Sequence, residues 1–116
     1  MQFTIEPSSN GTTIVRPHGR LNMVTAASLK EVVTNAIAEG SSQLVVDLAD
    51  VEFMDSSGLG ALVSGLKSAR HAGGDLRIAS ATEQVRMVLK LTNLDRVLTM
   101  HDSVEEARAA ASSPAL

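Results

Sequence analysis

The sequence predicts one α/β domain: a mixed sheet of about five strands, the first pair antiparallel and the later ones parallel, with about four helices. Three observations carry that prediction. Short β-rich runs alternate with segments whose apolar residues recur at helical spacing. Gly, Asn, Asp and Pro clusters mark most of the boundaries between them. The length suits one core of ordinary size, and neither a linker nor an internal repeat divides the chain.

In chain order, Phe3 and Ile5 alternate with polar neighbours, Pro7-Ser8-Ser9-Asn10-Gly11 is a turn signal, and Thr12 to His18 resumes β-rich sequence. These read as two antiparallel strands. Pro17 has no N–H to give, so its nitrogen should face away from a strand partner or sit at a bulge. Gly19-Arg20-Leu21-Asn22 then turns the chain. From Thr25, the apolar residues Leu29, Val32, Val33, Ala36 and Ile37 define one buried helix face, stopped at Gly40.

Leu44 to Leu48 is a nearly continuous apolar run, as expected of a strand covered on both faces, with Asp47 as a hydrogen-bonded structural acid. Ala49 to Met54 reads as a connector that tucks Val51 and Phe53 into the core. A helix follows from about Ser57, buried through Leu59, Leu62, Val63 and Leu66 and ended by His71-Ala72-Gly73-Gly74. Asp75 to Ser80 is a strand. Thr82 is a candidate N-cap for a helix buried through Val85, Val88 and Leu89 and ended near Asn93. Arg96 to Met100 supplies the last strand. Asp102 and Glu105 have capping-box spacing for the last helix. The domain spans 1–111, with 112–116 as a frayed tail.

Composition narrows the function. The chain is 44% hydrophobic and 20% charged, with a formal net charge of −3 and only two aromatic residues, Phe3 and Phe53. A nucleic-acid partner is not expected, because basic runs and stacking platforms are both missing. Absence of cysteine removes disulfides, thiolate nucleophiles and Cys-ligated zinc. Without a signal-peptide pattern or an apolar stretch long enough to span a bilayer, the expected location is cytoplasmic, with no direct membrane insertion.

The chemically addressable stretch is Phe53-Met54-Asp55-Ser56-Ser57-Gly58-Leu59-Gly60. Asp55, Ser56 and Ser57 can each accept hydrogen bonds from a first helical turn, so one of them should be the N-cap. Two adjacent hydroxyls there are also open to modification, and a phosphate would bring about −1.5 to −2 charges beside a helix N-terminus. Capping alone is the simpler account of these residues.

The enzyme chemistries fit poorly. A nucleophile elbow needs Gly two residues before the serine, where Met54 or Asp55 stands. Gly58-Leu59-Gly60 opens like a dinucleotide fingerprint, but Val63 replaces its third small residue and a connector separates it from the preceding strand. His18, His71 and His101 are scattered, so neither a metal nor a cofactor is expected. Gly58 and Gly60 read as positions of close backbone approach, to the sheet or to a partner.

The run from Phe53 to Gly60 resembles the phosphorylation-site signature of anti-sigma factor antagonists in the STAS (sulfate transporter and anti-sigma factor antagonist) domain family. The likeness extends upstream to Gly19-Arg20-Leu21-Asn22 and downstream to Gly73-Gly74 and the helix from Val85 to Leu91. It implies a STAS-like fold and a bacterial partner-switching regulator that is a substrate, not an enzyme. The unphosphorylated form would bind an anti-sigma factor that is also a serine kinase, releasing the sigma factor. In the family the modified hydroxyl follows the motif's Asp, here Ser56, with Ser57 as a contributor to the cap. A metal-dependent serine/threonine phosphatase would reset the switch.

By the same resemblance, Asn22, Asp55, Ser57, Gly58, Leu59 and Gly60 shape the partner surface of a monomer or weak homodimer. Asn22 stands where many active members have Asp, keeping the hydrogen bonding and losing the charge. The alternative is a constitutive STAS scaffold docking on a transport ATPase or signalling complex, with Ser56 serving only as a cap.

Overall fold

The computed structural model describes residues 2–7, 11–41 and 43–112. Most of the turn read at 7–11 and the tail beyond Ser112 lie outside them. Six strands and four helices follow in the order β1 (Gln2–Pro7), β2 (Thr12–Leu21), α1 (Ala26–Ala38), β3 (Gln43–Asp47), β4 (Val51–Met54), α2 (Ser56–His71), β5 (Asp75–Ala79), α3 (Glu83–Leu91), β6 (Thr99–His101) and α4 (Val104–Ser112).

The sheet runs β1-β2-β3-β5-β6, with β4 paired to β2 off this path. β1 and β2 are antiparallel and every other pairing is parallel. That is the predicted mixed sheet with one strand more. The stretch read as a connector contains β4, and Gly19 to Leu21, read as a turn, is the last part of β2. Both differences have one cause: Gly19, Arg20 and Leu21 pair with Val51, Phe53 and Met54 across a register shift. Each short run is a strand only because the other lies beside it.

Pro17 sits where this arrangement tolerates it. Pairing of β2 with β3 ends at Val15 and pairing with β4 begins at Gly19, so Pro17 faces the gap between two partners. The last strand begins later than expected, since Leu94–Arg96 forms a 3-10 turn and β6 covers only Thr99–His101.

The main core lies between the sheet and α1, α2 and α3. Leu29 and Val33 of α1 and Leu62 and Leu66 of α2 close over Val15, Leu44, Val46, Leu76 and Ile78. α2 reaches its neighbours because Gly65 has no side chain: a Cβ there would lie 3.1 Å from Leu76 Cδ1 and 3.3 Å from Val33 Cγ1. On the other face, Ala107 of α4 covers Ile14, Val45 and Ala79 in a smaller cluster. Asp47 is the structural acid expected, accepting from Arg16 Nε at 3.0 Å and from the Ala49 N–H at 3.1 Å.

The N-terminus of α4 is capped one residue later than the sequence suggested. Ser103 Oγ accepts from the Glu106 N–H at 3.1 Å, and Glu106 Oε2 accepts from the Asp102 N–H at 3.2 Å. Ser103 and Glu106 therefore take the roles read for Asp102 and Glu105. Thr82 is the N-cap residue of α3 but makes no side-chain capping bond; its hydroxyl reaches the Val51 carbonyl at 3.5 Å.

Candidate functional site

Parallel pairing brings the carboxyl ends of β2 and β4 together, with Leu21 opposite Met54. The chain leaves each strand into a helix, so the start of α1 and the start of α2 lie side by side at one end of the sheet. In open α/β sheets this is the end where side chains are free to meet a ligand or partner.

At the first exit, Asn22 Oδ1 accepts from the Val24 N–H at 3.0 Å and the Thr25 N–H at 3.3 Å. Thr25 Oγ1 accepts from the Asn22 N–H at 3.0 Å and donates to the Arg20 carbonyl at 2.7 Å. The two side chains lock a tight turn and leave Met23 and Val24 outside it, 77% and 82% exposed.

At the second exit, Asp55 is the N-cap of α2. Its Oδ1 accepts from the Ser57 N–H at 2.9 Å and the Gly58 N–H at 3.0 Å, and its own N–H donates to the Leu21 carbonyl at 3.2 Å. Of the three residues able to cap this helix, the carboxylate does so; Ser57 supplies a backbone donor, not a capping hydroxyl. The cap role considered for Ser56 also belongs to Asp55. Ser56 occupies the first helical position, exposed, and its hydroxyl has no hydrogen-bond partner among the described residues.

This cap changes what the helix start can hold. The Ser57 and Gly58 N–H groups that would cradle an anion already bind a carboxylate. The dinucleotide alternative therefore fails at the donors. It does not fail on separation from a strand, as the sequence suggested, because β4 leads directly into the motif. The partial positive charge of this helix start is thus already met by the Asp55 carboxylate.

The two glycines divide the roles considered for them. A Cβ on Gly58 would collide with the carbonyl oxygen and side chain of Leu21, so this glycine sets the closeness of α2 to β2. Gly60 is exposed, and a Cβ added there would meet nothing within 4 Å. It leaves open space on the α2 surface. Gly58 and Leu59 are buried, so both shape this surface from beneath. A shallow groove beside Ser56 continues past Gly60, Val63, Ser64 and Lys67 to Thr92 and Leu94.

Gln84 of α3 was not singled out by the sequence. Its Oε1 accepts from the Met54 N–H at 2.9 Å and its Nε2 donates to the Met54 carbonyl at 3.0 Å. One side-chain amide thus stands in for a strand on the free edge of β4, immediately before Asp55. Phe53, expected in the core, is half-buried beneath Arg20, whose guanidinium carbon lies 4.5 Å from the ring centroid. Among the described residues there is no cluster of metal-ligating side chains, and no helix is long and apolar enough to cross a membrane.

Two helix starts locked at neighbouring strand ends, one bearing an exposed hydroxyl, define an α/β domain that presents side chains instead of cradling an anion. The chain belongs to the STAS domain family, whose model matches residues 6–107. A Thermotoga maritima protein provisionally described as an anti-sigma factor antagonist is 38% identical over 95 residues, 81% of this chain and 84% of that one. An anti-sigma-B factor antagonist of Staphylococcus epidermidis is 31% identical over 91 residues, 78% of this chain and 84% of the relative. A T. maritima crystal structure with the same provisional description superposes with a TM-score of 0.88 at 33% identity, covering 96% of this chain and 95% of that one.

Proposed function

We propose that this chain is an anti-sigma factor antagonist whose binding is switched by phosphorylation of Ser56. The unmodified protein docks through the paired helix starts on an anti-sigma factor that is also a serine kinase, and so frees the sigma factor. The kinase phosphorylates Ser56 and a metal-dependent serine/threonine phosphatase reverses it. The observation that carries this reading is the exposed, unpartnered Ser56 hydroxyl beside a cap already filled by Asp55.

The physical mechanism needs no large rearrangement. Phosphate on Ser56 adds a dianion next to the Asp55 carboxylate, where Ser57 and Gly58 have no donors to spare. Pressed into a close interface, that charge loses water without gaining a partner. Weakening a complex by a hundredfold to a thousandfold requires only about 2.7 to 4.1 kcal/mol. Asn22, Met23 and Val24 on one exit, and Ser56 and Gly60 on the other, form the contact surface, with Asp55, Ser57, Gly58 and Leu59 fixing its shape.

The test is incubation with the cognate kinase and magnesium-ATP, followed by peptide mass spectrometry. Phosphate is expected on Ser56 and absent from a Ser56→Ala variant that folds normally. Ser56→Asp should bind the kinase at least about tenfold more weakly, a loss of about 1.4 kcal/mol. Labelling confined to another residue, or undiminished binding by Ser56→Asp, overturns the reading.

A further inference from the structure

We infer that the outer face of α3 is a self-complementary surface on which a second copy of this chain docks, antiparallel and about a twofold axis near Met87. α3 buries Val85 and Leu89 against the core. On the opposite side of the helix, Glu83, Met87, Lys90 and Leu91 are all exposed, with Met87 at 54% and Leu91 at 76%. The helical period places these four on one stripe. A groove beside them is floored by Met100 of β6.

The order of charges along this stripe selects the occupant. Glu83 lies one turn before Met87 and Lys90 one turn after it, and neither has an ion-pair partner among the described residues. Arg86, the other basic residue on the groove, is engaged by Asp102 at 3.1 Å and by the Ala81 carbonyl at 2.9 Å. Reversing the helix about a point between Arg86 and Met87 therefore brings Glu83 of each copy to Lys90 of the other, with the two Met87 side chains between the charged ends and each Leu91 just beyond Lys90. A twofold interface makes each contact twice, so one stripe satisfies itself. Two parallel copies would instead stack like charges.

The face of a nine-residue helix is far smaller than the roughly 800 Å² per partner of a stable complex. The association is accordingly weak and reversible, with a dissociation constant on the order of 10⁻⁴ M. It uses none of the residues assigned to the Ser56 switch, so either proposal can fail without the other.

Sedimentation equilibrium of the full chain from about 10 µM to about 1 mM tests this, over a range chosen to bracket that constant. A monomer–dimer equilibrium is expected, and Met87→Asp with Leu91→Asp should leave a folded monomer throughout the range. Glu83→Lys alone and Lys90→Glu alone each turn two attractions into two repulsions and should weaken the dimer by about tenfold. The double exchange Glu83→Lys with Lys90→Glu should restore it. A wild-type chain that stays monomeric, a dimer that survives Met87→Asp with Leu91→Asp, or a double exchange no better than the single ones overturns the proposal.

Discussion

The two helix starts at the site use the same device to different ends. At each, one Asx side-chain oxygen accepts two backbone N–H groups: Asn22 Oδ1 from Val24 and Thr25, Asp55 Oδ1 from Ser57 and Gly58. The first turn carries no charge and lifts two apolar side chains into solvent. The second carries a carboxylate, is jammed against Leu21 through Gly58, and is braced by Gln84. One exit offers side chains at little structural cost, while the other holds a hydroxyl at a fixed place. A switch needs both, because a modified group can alter binding sharply only if its position is set in advance.

Gly58 is where that contrast is easiest to break. Its Cβ would meet the backbone carbonyl of Leu21, which also accepts the Asp55 N–H, so relief requires α2 to move away from β2. Gly58→Ala should cost about 3 kcal/mol in urea unfolding, near the upper end for overpacking. A loss below about 0.5 kcal/mol would mean the junction is softer than described, since surface changes are of that size.

Asp55→Ala comes next, with an expected loss of about 1 to 2 kcal/mol as the Ser57 and Gly58 donors lose their acceptor. Asp55→Asn should keep most of that stability, since Asn caps nearly as well, and thereby separate the geometry of the cap from its charge. If the charge repels phosphate as proposed, phosphorylated Asp55→Asn protein should recover part of its kinase affinity in a calorimetric titration. Equal affinities before and after the substitution would remove Asp55 from the mechanism.

How much of this was legible in the sequence depends on how local each signal was. The helices α1, α2 and α3 and the strand β3 follow from apolar spacing within one window, and they stand where that spacing put them. β4 was not visible because four residues carry too little pattern and its partner at Gly19 to Leu21 is about thirty positions away. The cap of α4 slipped by one because Asp102 and Ser103 are both cap formers, and Glu105 and Glu106 both acids. At the site, the cap was narrowed to Asp55, Ser56 or Ser57 from residues alone. The neighbourhood of Asn22 and Asp55 came from family resemblance, since it depends on the unseen β4. Gln84 left no signal, as a glutamine in the first turn of a helix is ordinary until a strand edge lies beside it.

Gly60 reverses the expectation for Gly58 two residues away. No atom lies within 4 Å of a Cβ there, so Gly60→Ala should stabilise the protein by up to about 1 kcal/mol through helix propensity. Binding is where this residue would matter. If a partner's backbone packs on α2 at this point, the added methyl should weaken that complex while thermal unfolding shifts upward. Unchanged affinity would restrict the contact surface to the Ser56 end of the helix.

The smallest structural effect is expected at Asn22, and for that reason it isolates charge most cleanly. Its side chain accepts hydrogen bonds through Oδ1, from the Val24 and Thr25 N–H groups. A carboxylate oxygen could accept the same bonds, so Asn22→Asp should change stability by less than about 0.5 kcal/mol. Any change in kinase affinity or phosphorylation rate would then report the added charge beside Met23 and Ser56, with the backbone unchanged. A faster reaction would mean that an acid at this exit assists the hydroxyl, and that the present chain is a slower substrate for lacking it. An unchanged rate would place the recognition in Met23, Val24 and the Ser56 end of α2, where shape would govern binding more than charge.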